Sequence, residues 1–187
     1  MSRVLIPLAK GFEDLEAVAA VDVLRRGEVE VVTASISDSL EVESAHGVTM
    51  KADRRFAEVA GEEFDAILLP GGGEGTRNLL ECKPLLERLR RQKRDDKFLC
   101  AICAAPTVLV KAGVLDPGQH VTCYPSCASE LDRPSANVPA VADGRLVTGQ
   151  APGSALLFAL VVLHRLEGES TARRVAHGMV TNVLAAR

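Results

Sequence analysis

Apolar residues along this chain recur with two periods. "RVLIPLA", residues 3–9, is a short and continuously apolar run, as expected of a strand covered on both faces. "VEVVTAS", "FDAILLPG", "KFLCAI" and "HVTCYP" repeat the pattern further along and read as strands of the same kind. Between the first two, "EDLEAVAAVDVLRRGE" carries Leu15, Val18, Ala19 and Val23 at helical spacing and closes on Arg25, Arg26 and Gly27, a helix stop. "CKPLLERLRRQKR" and "APTVLVKAG" are predicted helices, and further helices starting at Gly153 and at Ser170 finish the chain. Two segments read as hairpins: "LEVESAHGVTMKAD", turning near Ala45 to Gly47, and "VPAVADGRLVTGQ", centred on Asp143-Gly144.

Strands alternating with helices through short connections predict an α/β domain with a mostly parallel sheet and helices on both faces. No repeat, linker or low-complexity segment interrupts residues 1–187, so one domain is expected. Parallel sheets carry their sites at the carboxyl ends of the strands. That rule selects Lys10 to Glu16, Pro70 to Gly75, Ile102 to Pro106 and Cys123 to Ser126.

Composition narrows the function classes. With 47% hydrophobic and 25% charged residues, 187 positions suffice for one real core. A formal net charge of −3 and the lack of a dominant basic patch give no argument for nucleic acid or an anionic membrane as partner. The one dense basic stretch, Arg88 to Lys97, reads as the solvated end of a helix. The longest apolar run, Ala155 to Leu163, is far short of a bilayer span and suits a core or interface helix. Five cysteines without a visible secretion signal predict free thiols in a reducing, cytoplasmic setting.

Candidate chemistry centres on "FLCAICAAPTVLV". An apolar strand breaks at Cys103 and resumes after Pro106 as an apolar helix, with Ala101, Ala104 and Ala105 as neighbours. A sharp strand-to-helix turn flanked by small residues is a nucleophile elbow, which lifts its side chain above the sheet edge. A thiol there would meet the positive end of a helix, which lowers its pKa, and unpaired amides that stabilise an oxyanion. The residues alone leave two other readings: Cys103 as a small buried hydrophobe, and a zinc site from the C-x2-C and C-x3-C pairs Cys100/Cys103 and Cys123/Cys127. Glu16 falls one helical turn in, at the carboxyl edge of the first strand, within reach of the thiol; as part of an acidic first turn it also serves the helix N-terminus. "PGGGEG", Pro70 to Gly75, lacks phosphate-loop spacing and reads as a turn whose backbone approaches the thiol.

Four ordered segments, "AKGFEDLEAV", "LLPGGGEGTRNL", "AICAAPTVL" and "GQAPGSALLFAL", resemble the ThiJ/PfpI superfamily, in the branch of the Parkinsonism-associated deglycase and its bacterial chaperone-like relatives. The resemblance runs from Val4 to about Val183. It implies a flavodoxin-like α/β sandwich, a homodimer and no cofactor or metal. It further implies that Cys103 is a reactive, easily oxidised thiol, that Glu16 is its protonated hydrogen-bond partner, and that the amides of Gly72 and Ala104 form an oxyanion pocket. Arg26 and His46 would lie near the pocket rim, the latter where relatives often carry arginine. The activity implied is a glyoxalase or deglycase acting on a small carbonyl such as methylglyoxal or its adducts, in defence against carbonyl and oxidative stress. The alternative is a redox-sensing or chaperone-like protein whose cysteine oxidises to sulfinate.

Two departures from the family pattern matter. Relatives with peptidase activity carry histidine directly after the cysteine, where this chain has Ala104, so no protease is expected. The deglycase branch places a histidine in the segment after the next strand, where "TCYP" offers Tyr124, a hydrogen-bond donor rather than a base at neutral pH.

Overall fold

The computed structural model describes residues 1–181, and the last positions of the resemblance, 182–183, lie outside them. The chain opens with β1 (Arg3–Leu8), α1 (Asp14–Arg26) and β2 (Glu30–Ser35). The hairpin β3 (Glu41–Glu43) and β4 (Thr49–Lys51) follows, then the short β5 (Arg54–Arg55) and α2 (Phe56–Val59). Next come β6 (Ala66–Leu69), α3 (Gly73–Glu81), α4 (Lys83–Arg94), β7 (Phe98–Ile102) and α5 (Pro106–Ala112). A second hairpin, β8 (Ala140–Asp143) and β9 (Leu146–Gly149), leads into the long α6 (Ala155–Gly178).

Seven strands form one sheet in the order β5-β2-β1-β6-β7-β9-β8, parallel throughout except for β8 against β9. The side chains of each inner strand alternate between two cores. Val4, Ile6, Leu8, Leu68, Cys100 and Ile102 face the side covered by α1 and α6. Leu5, Ile67, Leu69, Leu99 and Ala101 face the side covered by α2 through α5. This is the doubly covered sheet that the continuous apolar runs predict, in the flavodoxin-like form that the resemblance implies. From β1 the chain steps first to β2 on one side and later to β6 on the other. The switch point between β1 and β6 opens a crevice at the carboxyl ends of the strands, the place where such sheets put their sites.

Both predicted hairpins form, with Val42 opposite Met50 and Ala142 opposite Val147. α6 is interrupted at Gly168, whose φ of 84° no helix contains, so the two helices expected from Gly153 and Ser170 meet at that kink. The helix α3, starting within the glycine run, was not legible as a helix because glycines occupy its first turn. "HVTCYP" does not become a strand. The edge of β7 is taken by β9, leaving the segment an isolated bridge between Val121 and Ser135 before Pro125 starts a 3-10 turn. Arg88 departs from the solvated helix end expected of its basic stretch: it is buried and donates through Nη2 to the Glu62 carbonyl. Leu15 and Val18, which helical spacing groups with the buried Val23, are exposed instead; the face of α1 that meets the core runs through Ala17, Ala20, Val21 and Leu24. No helix among the described residues is long and apolar enough to cross a membrane.

The site side of the sheet depends on α6. Phe158 is fully buried, and its ring lies so close to Gly149, the last residue of β9, that a Cβ there would meet it at 2.9 Å. Phe158→Ala removes that ring from a core that cannot collapse around a sheet backbone, so urea unfolding should show a loss of about 3–5 kcal/mol. A loss under about 1 kcal/mol would mean that α6 does not hold the end of β9 in place.

Candidate functional site

Cys103 follows β7 directly and adopts φ 65°, a left-handed conformation that costs an ordinary residue about 1–2 kcal/mol. Three hydrogen bonds hold it there. Its N–H donates to the Gly149 carbonyl (3.0 Å), its own carbonyl accepts from the Tyr124 N–H (2.8 Å), and the Ala105 N–H closes the turn onto the Ile102 carbonyl (3.0 Å). Small neighbours permit the reversal: Ala104 and Ala105 lead into α5, which Pro106 starts without needing an N–H partner. This is the elbow expected from sequence.

Glu16 lies in the first turn of α1, 1% exposed. The Glu13 carboxylate caps that turn by accepting from the Glu16 N–H (2.9 Å), and the Glu13 N–H donates to the Gly71 carbonyl (3.1 Å). The Glu16 side chain accepts through Oε2 from the Gly71 N–H at 2.7 Å. Its other oxygen, Oε1, is buried without a hydrogen-bond partner. The titrating group that the Glu16 carboxyl couples to is the Cys103 thiol.

Two glycines make this approach possible. A Cβ on Gly71 would meet the Cys103 Cβ at 2.8 Å and Glu16 Oε2 at 2.9 Å. A Cβ on Gly72 would stand 2.3 Å from the Gly11 carbonyl oxygen, and its φ of 92° already favours glycine. The run spends its amides inward, Gly71 on Glu16 and Gly75 on the Gly11 carbonyl (3.0 Å), so it is not a phosphate cradle. The amides of Gly72 and Ala104 turn to the sulfur instead.

The electrostatics belong to the pair. Burial, partly offset by the Gly71 amide and the thiol, pushes Glu16 up to about 7. Burial, together with the charge and hydrogen bond of Glu16, pushes the Cys103 thiol up to about 12, while the amides of Gly72 and Ala104 pull it down. The helix terminus therefore acts in the direction expected from sequence, but desolvation and the carboxylate outweigh it. Two negative charges are costly in this dry corner, so thiol and carboxyl hold two protons below about pH 7 and a single shared one above it. When Glu16 keeps that proton, the opposing charge disappears and the carboxyl can donate to the thiolate.

The other candidates fall at different distances. Tyr124 touches the elbow through its backbone N–H, and its residue is 43% exposed. His46 sits on the β3–β4 turn beside the start of α1, where its Nδ1 lies 2.7 Å from Asp14 Oδ2. That carboxylate raises the imidazole pKa, and Ser44 holds the carboxylate's other oxygen. Glu13, Asp14 and His46 bring their ligand atoms within 4.8 Å of one another, the one such group among the described residues. Arg26 is not brought to the thiol. It pairs with Asp22 (3.0 Å) at the far end of α1, roughly 15 Å along the axis from Glu16 at about 1.5 Å per residue. The four cysteines of the zinc reading do not converge, because Cys100 and Cys103 belong to one core and Cys123 and Cys127 to the other. The backbone at Gly71 approaches the thiol as the glycine run predicts, but its hold on the Glu16 carboxyl, and the hold of Gly149 on the elbow, went unread; runs of small residues at strand ends were the available signal.

The family model described as the DJ-1/PfpI family matches residues 2–165. The chain is 36% identical over 180 residues to DJ-1 homolog B of Arabidopsis thaliana, covering 95% of this chain and 41% of that protein, so it spans less than half of that relative's length. It is 34% identical over 161 residues to a Caenorhabditis elegans protein named glutathione-independent glyoxalase DJR-1.2, covering 83% of each. The solved structure of Toxoplasma gondii DJ-1, in an oxidized form, superposes with a TM-score of 0.93 at 32% identity, covering 97% of this chain and 99% of that one.

The shared proton gives a pH dependence of definite sign. As pH rises through about 7, Glu16 ionises beside the sulfur and opposes the thiolate, so the rate of iodoacetamide labelling of Cys103 should bend to a shallower slope there. In Glu16→Gln the bend should vanish and labelling should follow one thiol ionisation. A bend near pH 7 that survives in the variant would assign it to another group.

Proposed function

The chain belongs to the DJ-1/PfpI family, and on that footing we propose that it is a cofactor-independent glyoxalase that converts methylglyoxal to lactate, with deglycation of protein adducts as the related hydrolysis. The observation that carries this reading is the elbow itself: one thiol, one buried carboxyl tuned to about 7 and two inward amides on the same sulfur. Similarity to the worm protein named as a glutathione-independent glyoxalase supports it.

In this scheme the Cys103 thiolate adds to the aldehyde carbon, forming a C–S bond, and the carbonyl electron pair becomes an alkoxide facing the amides of Gly72 and Ala104. Proton transfer to that oxygen gives a hemithioacetal. Loss of the proton from the former aldehyde carbon forms an enediol, and return of a proton to the neighbouring carbon leaves a lactoyl thioester. Water then cleaves the C–S bond, releasing lactate and the thiol. A carboxyl near 7 is half-protonated at neutral pH, the best state for both taking and returning a proton. Tyr124 replaces the histidine of the deglycase branch and contributes a hydroxyl at the rim rather than a base.

That substitution favours a second reading, in which the chain is a redox sensor or chaperone-like protein. Peroxide would then carry Cys103 to sulfinate, with Glu16 and the same amides holding the new oxygens. We also propose a homodimer through the α1 face, because Leu15 (61%) and Val18 (53%) leave apolar surface uncovered. Sedimentation equilibrium should return twice the 19.9 kDa chain mass, and a single-chain mass at micromolar concentration would refute the dimer.

The enzymatic reading is tested by lactate production from methylglyoxal without glutathione. Wild type should form lactate, and Cys103→Ser should lose at least about a hundredfold of the rate, as for removal of a covalent nucleophile. Equal rates in the two proteins would refute the scheme. No lactate from either, with Cys103 the first thiol dioxidised by mild peroxide, would select the sensor.

A further inference from the structure

Cys123 and Cys127 are left over by everything above. They lie on the segment that crosses the carboxyl end of the sheet, Cys123 just before the 3-10 turn Pro125–Glu130 and Cys127 within it. One backbone oxygen joins them. The Cys123 thiol donates to the Tyr124 carbonyl at 3.3 Å, and the Cys127 N–H donates to that same oxygen at 2.9 Å. The Cys123 sulfur is therefore within about 6 Å of the Cys127 amide nitrogen, and the two thiols are near enough for a charge on Cys127 to be felt at Cys123. Cys123 is 1% exposed and Cys127 partly exposed, both against the core on the α2–α5 side.

Other partners are poorly placed. Cys103 and Cys100 pack with the opposite core, across the sheet. Among the described residues no third His, Cys, Asp or Glu joins Cys123 and Cys127 within metal-binding reach.

We propose that Cys123 and Cys127 form a second redox centre, a dithiol that closes reversibly to an intrachain disulfide under hydroperoxide, separate from the Cys103 elbow. Cys127, the more accessible, attacks the peroxide: the O–O bond breaks, one oxygen stays on sulfur as a sulfenic acid and the other leaves as water or an alcohol. The Cys123 sulfur then attacks the sulfenic sulfur, the S–S bond forms, the S–O bond breaks and a second water leaves. Two thiols are oxidised by two electrons and one peroxide is reduced. A dithiol reductant reverses the bond. Burial holds both thiols above the usual range, so closure is slow and needs excess oxidant. The bond would staple the turn that carries Tyr124, whose N–H supports the Cys103 carbonyl. The proposal does not rest on the glyoxalase reading.

The test uses Cys103→Ser, which removes the elbow thiol, beside wild type. Each is treated with excess hydrogen peroxide, unfolded in maleimide and digested with trypsin; no lysine or arginine separates Cys123 from Cys127, so one peptide carries both. In both proteins that peptide should be about 2 Da lighter than the dithiol and carry no maleimide, and dithiothreitol before unfolding should restore two maleimides. In Cys127→Ser the lighter species should be absent and Cys123 should take maleimide. Two maleimides after peroxide, or oxygen added to either sulfur without loss of the pair, would overturn the proposal. So would a 2 Da loss that persists in Cys127→Ser.

Discussion

A carboxyl group in an apolar core needs a donor and a proton, and Glu16 obtains both from its surroundings. The Gly71 N–H supplies the donor at 2.7 Å, and burial keeps a proton on the carboxyl up to about pH 7. Much of the surrounding geometry follows from that demand. The donor reaches Glu16 only because position 71 lacks a Cβ, which would otherwise strike both Glu16 and Cys103. The chain then turns at Gly72 against the Gly11 carbonyl, and this fixes where α3 begins. On the other side, Glu13 ties the start of α1 to the same loop through the Gly71 carbonyl. The β1 and β6 exits are thereby locked together across the topological switch point of the sheet.

Cys103 is the third member of this contact and carries its strain. A left-handed non-glycine residue persists when its surroundings over-determine it, and here Gly149, Tyr124 and Ile102 each hold a backbone group of the corner. The support reaches deeper still, since the Phe158 ring packs on Gly149 at the end of β9. A buried carboxyl, a strained thiol and glycines with no room for a side chain all cost stability. Their convergence on one sulfur supports the reactive role proposed for it.

Much of this was legible in the sequence, and the limits have physical causes. Continuous apolar runs such as Val4 to Leu8 and Ala66 to Leu69 announce strands buried on both faces, and the break at Cys103 announces the elbow. Glu16 was legible because helical spacing places it one turn past a strand end. The segment around Val121 misled because its composition suits a strand, while pairing is decided by which edge remains free, and β9 occupies the edge of β7. Arg26 misled because no local pattern tells which end of a helix faces a pocket. The pKa of Cys103 was read from the helix terminus alone, and the opposing weight of burial and of Glu16 is visible only in three dimensions. Gly71 and Gly149 act through backbone atoms, which leave no side-chain signature.

The most direct measurement is a carbon-13 NMR titration of the Glu16 side-chain carboxyl in the folded protein. A buried carboxyl that shares its proton with Cys103 should titrate with a midpoint near 7, and the midpoint should move when Cys103 is replaced by serine. A midpoint near the ordinary glutamate value, unchanged by that substitution, would contradict the shared proton and with it the chemistry derived from the site.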